Sequence, residues 1–331
     1  MSEQLFPTTV IGSLPRPAWV RDFVLDRKAG RISEEEADRL LDRAIESAIA
    51  LQERAGLEEI TDGEWRRESY VKVFAERVRG FGHDLNPSGG LPYPAVGRVK
   101  ATLPSPYIIG RRMWHPEHSK AAYPTREKLM ADCVPVLRRE IRAVRAAGAD
   151  TVQLDEPWLA VLVDPKFRAR EGVEDVQYEM DLCVDMVNQT LEGIGGIETA
   201  MHLCHAHFDH KHGSEGPYDL IMPALAKVRA GTISMEYATP VAGGVETLAR
   251  FPANVRLGFG CIDHCDRHVE TPEEVAARVE AAMRYVGKER ITLHPDCGFS
   301  PSVQNPMDLD EAYLKLKAMC AAAEMLRERY R

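Results

Sequence analysis

Eight short apolar or β-branched runs alternate with longer amphipathic stretches, and this alternation constrains the fold more than any other feature. The runs are TTVIG (8–12), EEITD (58–62), KATLPS (100–105), TVQLDE (151–156), TAMHLC (199–204), TISMEY (232–237), VRLGFGC (255–261) and ITLHPDC (291–297). Each has the length of a strand and is apolar enough to be buried on both faces. The stretches between them carry helix ends. Ser33 with Glu36 makes a capping-box pattern, and Gly56 follows the last periodic residue. Thr271, Pro272 and Glu274 open another helix, residues 125–147 form one that stops at Gly148, and Asn305 with Pro306 opens the last. Strands and helices alternating in this number predict an α/β fold, a (β/α)8 TIM barrel. A doubly wound open sheet is the competitor, but no G-x-G-x-x-G follows the first run. We expect a single domain over residues 1–331, since no repeat or low-complexity linker divides the chain. Segments 80–97 and 205–217 read as loops at the active end, placed to act as lids.

The net charge of −9 argues against a nucleic-acid partner, because phosphate binding needs a basic face. No apolar run reaches the length of a membrane span, and the first ten residues do not read as a signal sequence, so a cytoplasmic protein is expected. Seven cysteines, an odd number, are expected as reduced thiols and metal ligands rather than a disulfide frame. Cys133, Cys183 and Cys320 lie in helical patterns and read as small core residues.

Active sites of such barrels sit at the C-terminal ends of the strands. Polar residues concentrate there: Ser13, Asp62 and Glu64, Asp155 and Glu156, His202 and Cys204, Glu236, then Asp263, His264 and Cys265, and finally Asp296 and Cys297. In HLC, His202 and Cys204 stand two apart, so both side chains of a strand point to one face. Imidazole and thiolate select zinc among the available metals, and Glu236 with Cys297 completes a four-donor set. A labile carboxylate in that set would admit a substrate thiol, whose pKa zinc lowers. A lone H-x-C is weak, since buried cysteines and hydrogen-bonded core histidines are common; the strand-end position of Glu236 and Cys297 strengthens it. His205, His207, His210 and His212 read as a solvated polar loop rather than a second metal site. Asp155 and Glu64 either bind a substrate ammonium or form ion pairs, with Arg66 and Arg67 at hand for Glu64. Ser13 follows a glycine turn that can present backbone N–H groups to a carboxylate or simply turn the chain.

These residues together resemble the catalytic, C-terminal half of cobalamin-independent methionine synthase. The resemblance runs nearly end to end through TTVIGSLPRP, DGEWRR, QLDEP, HLCHAHF, the Glu of ISMEYA, GFGCID and HPDCGFS. It implies the (β/α)8 barrel, a zinc site of His202, Cys204, Glu236 and Cys297, and amino-acid contacts from the Ile11, Gly12 and Ser13 backbone, Glu64 and Asp155. It also implies that a zinc-bound homocysteine thiolate attacks a methyl group on a tetrahydrofolate. Three departures stand out. The additional N-terminal half of the long family members does not appear in these residues. The family's proton-donating histidine, two residues after the aspartate matching Asp263, is Cys265 here, with His264 beside it. The folate-facing tryptophan is out of register, with Arg112 in place and Trp114 nearby.

The leading expectation is therefore a zinc-dependent S-methyltransferase acting on homocysteine or a close thiol, with Asp263, His264 and Cys265 as its proton-transfer segment. The donor is a methyl-folate or a methyl-corrinoid, the latter bringing in a corrinoid protein as partner. A zinc thiol alkyltransferase or lyase acting on another thiol, such as coenzyme M, is the second reading. A non-catalytic zinc-binding paralogue is the third. Glu64 and Asp155 favour an amino-acid thiol, because an ammonium needs carboxylate partners whereas a sulfonate would want Arg or Lys. An amidohydrolase fits poorly, because TTVIGS lacks the H-x-H pair of that class.

Overall fold

The computed structural model describes residues 4–67, 97–208, 211–300 and 308–331. Seven parallel strands form one sheet in chain order: Glu59–Ile60, Arg98–Pro104, Thr151–Asp155, Glu198–His202, Thr232–Glu236, Arg256–Ile262 and Ile291–Pro295. The eighth staves the barrel shut. Thr8 bridges Leu293 of the last strand and Thr9 bridges Glu59 of the first, both in parallel. Thr9 N–H donates to Leu293 O at 3.0 Å, and Glu59 N–H donates to Thr8 O at 3.1 Å. The eight expected runs thus become eight parallel segments, as a (β/α)8 barrel requires.

Parallel neighbours need a crossover, and the amphipathic stretches supply it. Glu34–Ala55 starts where Ser33 Oγ accepts the Glu36 N–H and stops at Gly56, whose φ of 95° suits the left-handed cap. Pro272–Ala282 carries a full capping box between Thr271 and Glu274. Arg126–Ala146 begins after Thr125. The last helix, Leu309–Arg329, is capped by Asp308; the expected start at Asn305 and Pro306 lies outside the described residues, as does nearly all of the 80–97 loop. The helices bury their apolar stripes on the sheet, and Leu41, Ile45, Val152, Leu154, Val275 and Leu316 belong to one continuous core. Cys133, Cys183 and Cys320 are buried in helices, as expected of core residues. Among the described residues no helix is long and apolar enough to cross a membrane.

Candidate metal and substrate site

Cys204, His207, Glu236 and Cys297 each place one donor atom within 4.8 Å of the others. Glu236 ends its strand, while Cys204 and Cys297 each lie two residues beyond theirs. Parallel register therefore carries all three to the same rim. His202 is also at that rim, with Nε2 3.7 Å from Cys297 Sγ. The imidazole within mutual reach of all three other donors, however, is that of His207. His202 is buried, its Nδ1 has no hydrogen-bond partner among the described residues, and burial, then the nearby His294, lowers its pKa to about 3. A neutral imidazole is the form that ligates. The Cys297 thiol is pushed well up by its contact with Cys204, then by burial and the charge of Glu236. Two buried thiols, a buried carboxylate and imidazole nitrogens in contact suit a divalent zinc-class cation, which would favour both thiolates.

Glu236 lies between two imidazoles. Its Oε2 accepts the His205 backbone N–H at 2.9 Å and lies 2.8 Å from His205 Nδ1, while Oε1 contacts His207 Nε2. Burial alone would raise this carboxyl, but His207 and His205 hold it well below the ordinary range. His205 is itself fixed, with Nε2 3.1 Å from Gly216 O and its ring against Tyr218. The expectation of a solvated loop is thus corrected for His205 and His207, whose side chains are 0% and 1% exposed. The chain turns back at Ala206, whose φ is +52°, and Gly213 N–H closes on Ala206 O at 2.5 Å. A β-carbon at Gly213 would lie 2.8 Å from that oxygen, so only glycine fits. The result is a small antiparallel hairpin, His207–Phe208 with Lys211–His212, folded over the rim. His210 lies outside the described residues. The sequence signal was the doubled H-x-C-H-x-H spacing, which offers donors on successive residues.

Asp263, His264 and Cys265 follow the strand Arg256–Ile262. The Asp263 carboxylate accepts the N–H of Cys265 at 2.7 Å and of Asp266 at 3.3 Å, so it builds the turn. That turn presents His264 edge-on to His207, with ring centroids 4.0 Å apart. His264 Nε2 lies 3.6 Å from Cys265 Sγ, and its Nδ1 has no hydrogen-bond partner among the described residues. Burial, then His207, lowers the His264 pKa strongly, while burial pushes the Cys265 thiol up to about 12.

Across the rim, Asp155 sits beside His202 in strand register. It accepts Gln153 Nε2 at 2.7 Å, and the same amide nitrogen reaches Ile11 O at 2.9 Å. Burial, then the charge of Glu64, raises Asp155 to about 7. Glu64 is buried with φ of +59°, accepts Thr102 Oγ1 at 3.0 Å and pairs with Arg67 at 3.0 Å. The second expected arginine, Arg66, pairs instead with Asp38 and Asp42. Ser13 Oγ accepts the Ser300 N–H at 3.1 Å, and Ser13 O accepts the Phe299 N–H at 3.0 Å. Arg16 fastens this rim by donating to the carbonyls of Ser300, Glu64 and Arg67 at 2.7–2.9 Å. Nothing in the sequence pattern had marked Arg16; its neighbours come from segments far apart in the chain.

Comparison with known proteins adds three findings. A family model described as cobalamin-independent synthase, catalytic domain, matches residues 6–88 and 119–325. A methionine synthase of Saccharolobus islandicus is 28% identical over 352 residues, covering 98% of this chain and 96% of that protein. Two solved structures share the fold. A B12-independent methionine synthase from Shewanella, in complex with selenomethionine, superposes with a TM-score of 0.78 at 23% identity, covering 98% of each chain. A putative vitamin-B12-independent methionine synthase from Listeria monocytogenes gives a TM-score of 0.71 at 21% identity, covering 98% of this chain and 99% of that one.

Proposed function

From a chain that belongs to the cobalamin-independent synthase family by its catalytic domain, we propose a zinc-dependent methyltransferase that methylates the sulfur of homocysteine, with a methylated tetrahydrofolate as donor. The observation that carries this is one rim holding both a two-thiol, imidazole and carboxylate cluster and a buried acidic pair. Cys204, Glu236 and Cys297 with His207 or His202 would hold the ion. Zinc supplies one thing there, a lowered pKa for a substrate thiol. The chain supplies the rest. Asp155 and Glu64 face a substrate ammonium, which favours the charged form of Asp155. The Ile11, Gly12 and Ser13 turn is held through its carbonyls by Gln153, Thr61 and Phe299, and its N–H groups would meet a substrate carboxylate. In the transfer, the sulfur–carbon bond forms as the carbon–nitrogen bond to the folate breaks. That nitrogen takes a proton, which His264 would relay rather than store, because burial lowers its pKa strongly, with Asp263 the residue that builds its turn. Cys265 stands where the family places its proton donor, but burial holds its proton tightly.

The family description leaves a methyl-corrinoid donor and a corrinoid protein partner without support, and both are set aside. All seven cysteines are free, consistent with a cytoplasmic setting. The test is methyl transfer from 5-methyltetrahydrofolate to L-homocysteine by zinc-loaded protein, with coenzyme M as competing acceptor. Methionine should form, and zinc should be lost in Cys297→Ser while the fold persists. Full activity in metal-free protein, or equal use of coenzyme M, would overturn the proposal.

A further inference from the structure

We propose that Cys265, His212 and the Nδ1 side of His207 form a second site for a divalent, zinc-class cation, joined to the first through the His207 imidazole. One donor atom from each of the three lies within 4.8 Å of the others. Cys265 Sγ is 3.3 Å from His207 Nδ1. His207 and His212 face each other in hairpin register, their rings 4.6 Å apart and T-shaped. That register locks two imidazoles side by side over the Cys265 turn. His212 Nδ1 is buried and has no hydrogen-bond partner among the described residues.

The two nitrogens of His207 serve different neighbours. Nε2 meets Glu236, and Nδ1 meets Cys265. To hold both ions His207 would release its one ring proton to solvent, leaving a lone pair on Nε2 for the first site and on Nδ1 for the Cys265 side. Two imidazoles and a thiol are borderline-soft donors, which suit zinc or cobalt and not magnesium or calcium. Three protein donors leave a fourth position for water or an anionic oxygen of a substrate. Cys265 and His212 are partly exposed as residues, unlike Cys204 and Cys297, while the His207 side chain is 1% exposed. This proposal goes beyond the methyl-transfer reading and shares only His207 with its metal site.

The test is titration of Zn2+, and separately Co2+, into metal-free full-length protein, counting bound equivalents and following the thiolate-to-cobalt absorption. Wild type should take up two equivalents, and Cys265→Ala and His212→Ala one each. Cys297→Ala should lose the tighter equivalent and keep the other. Wild-type stoichiometry in both Cys265→Ala and His212→Ala would overturn the second site and show a thiol–imidazole hydrogen-bond cluster only. Should Cys265→Ala lose its fold by circular dichroism, His212→Ala decides alone. Unchanged stoichiometry in Cys297→Ala would instead sink the first site and leave this one standing.

Discussion

The Glu64 carboxylate lies against the α-carbon of Gly12, so close that a β-carbon there would stand 2.2 Å from Oε1. The glycine turn after the first strand and the acidic residue after the second are thus fitted to one another. Thr61 Oγ1 donates to Gly12 O at 2.7 Å and holds the two segments together.

Gly12→Ala should therefore displace the Glu64 side chain and leave the barrel intact. The clash is with the end of a side chain, so the cost in stability should be about 1–3 kcal/mol or less. KM for L-homocysteine should rise while the metal content stays unchanged. An unaltered KM would remove Glu64 from the substrate contacts.

Asp155 gives a pH signature. Its carboxyl is raised from 3.8 to about 7, by burial first and then by Glu64. Between those values the folded protein keeps a proton that the unfolded chain has released, so this group's contribution to stability falls as pH rises. A bound ammonium favours the carboxylate, so affinity for an amino-acid thiol should increase through about pH 7. Asp155→Asn should flatten that profile and weaken binding roughly 10- to 100-fold. Calorimetric titration of L-homocysteine against pH checks both, and an identical profile in the variant would count against the assignment.

His205 positions Glu236 through both its backbone N–H and its ring. Partners of this kind orient a metal ligand, and their loss typically costs about 10- to 100-fold in affinity. His205→Ala should lower zinc affinity by that factor in competition with a chelator. An unchanged affinity would mean that the backbone bond suffices to hold the carboxylate.

His264→Ala tests the proton step. A positioned acid contributes about 100- to 10,000-fold, so steady-state turnover with the folate donor should fall at least 100-fold. Zinc in the Cys204–Cys297 site should remain. Retained turnover would transfer the role to another group, Cys265 being the nearest thiol at 3.6 Å.

The sequence by itself determined the barrel. Buried strands must be short apolar runs, helices must end at caps, and the structure puts strands at all eight places marked by those rules, although the first is reduced to the Thr8–Thr9 bridge. It also determined that Cys204, Glu236 and Cys297 share a rim, because residues at the ends of parallel strands have one place to go. Which imidazoles join them is a tertiary matter. His205 and His207 belong to a polar, histidine-rich segment that by composition looks solvated, yet a hairpin closed at Ala206 and Gly213 folds them onto Glu236. Likewise, the near-neutral Asp155 arises from burial beside Glu64, more than ninety positions earlier in the chain. Local pattern records the backbone's preferences and each strand's exposure; the distance between side chains on different strands depends on closure of the whole barrel.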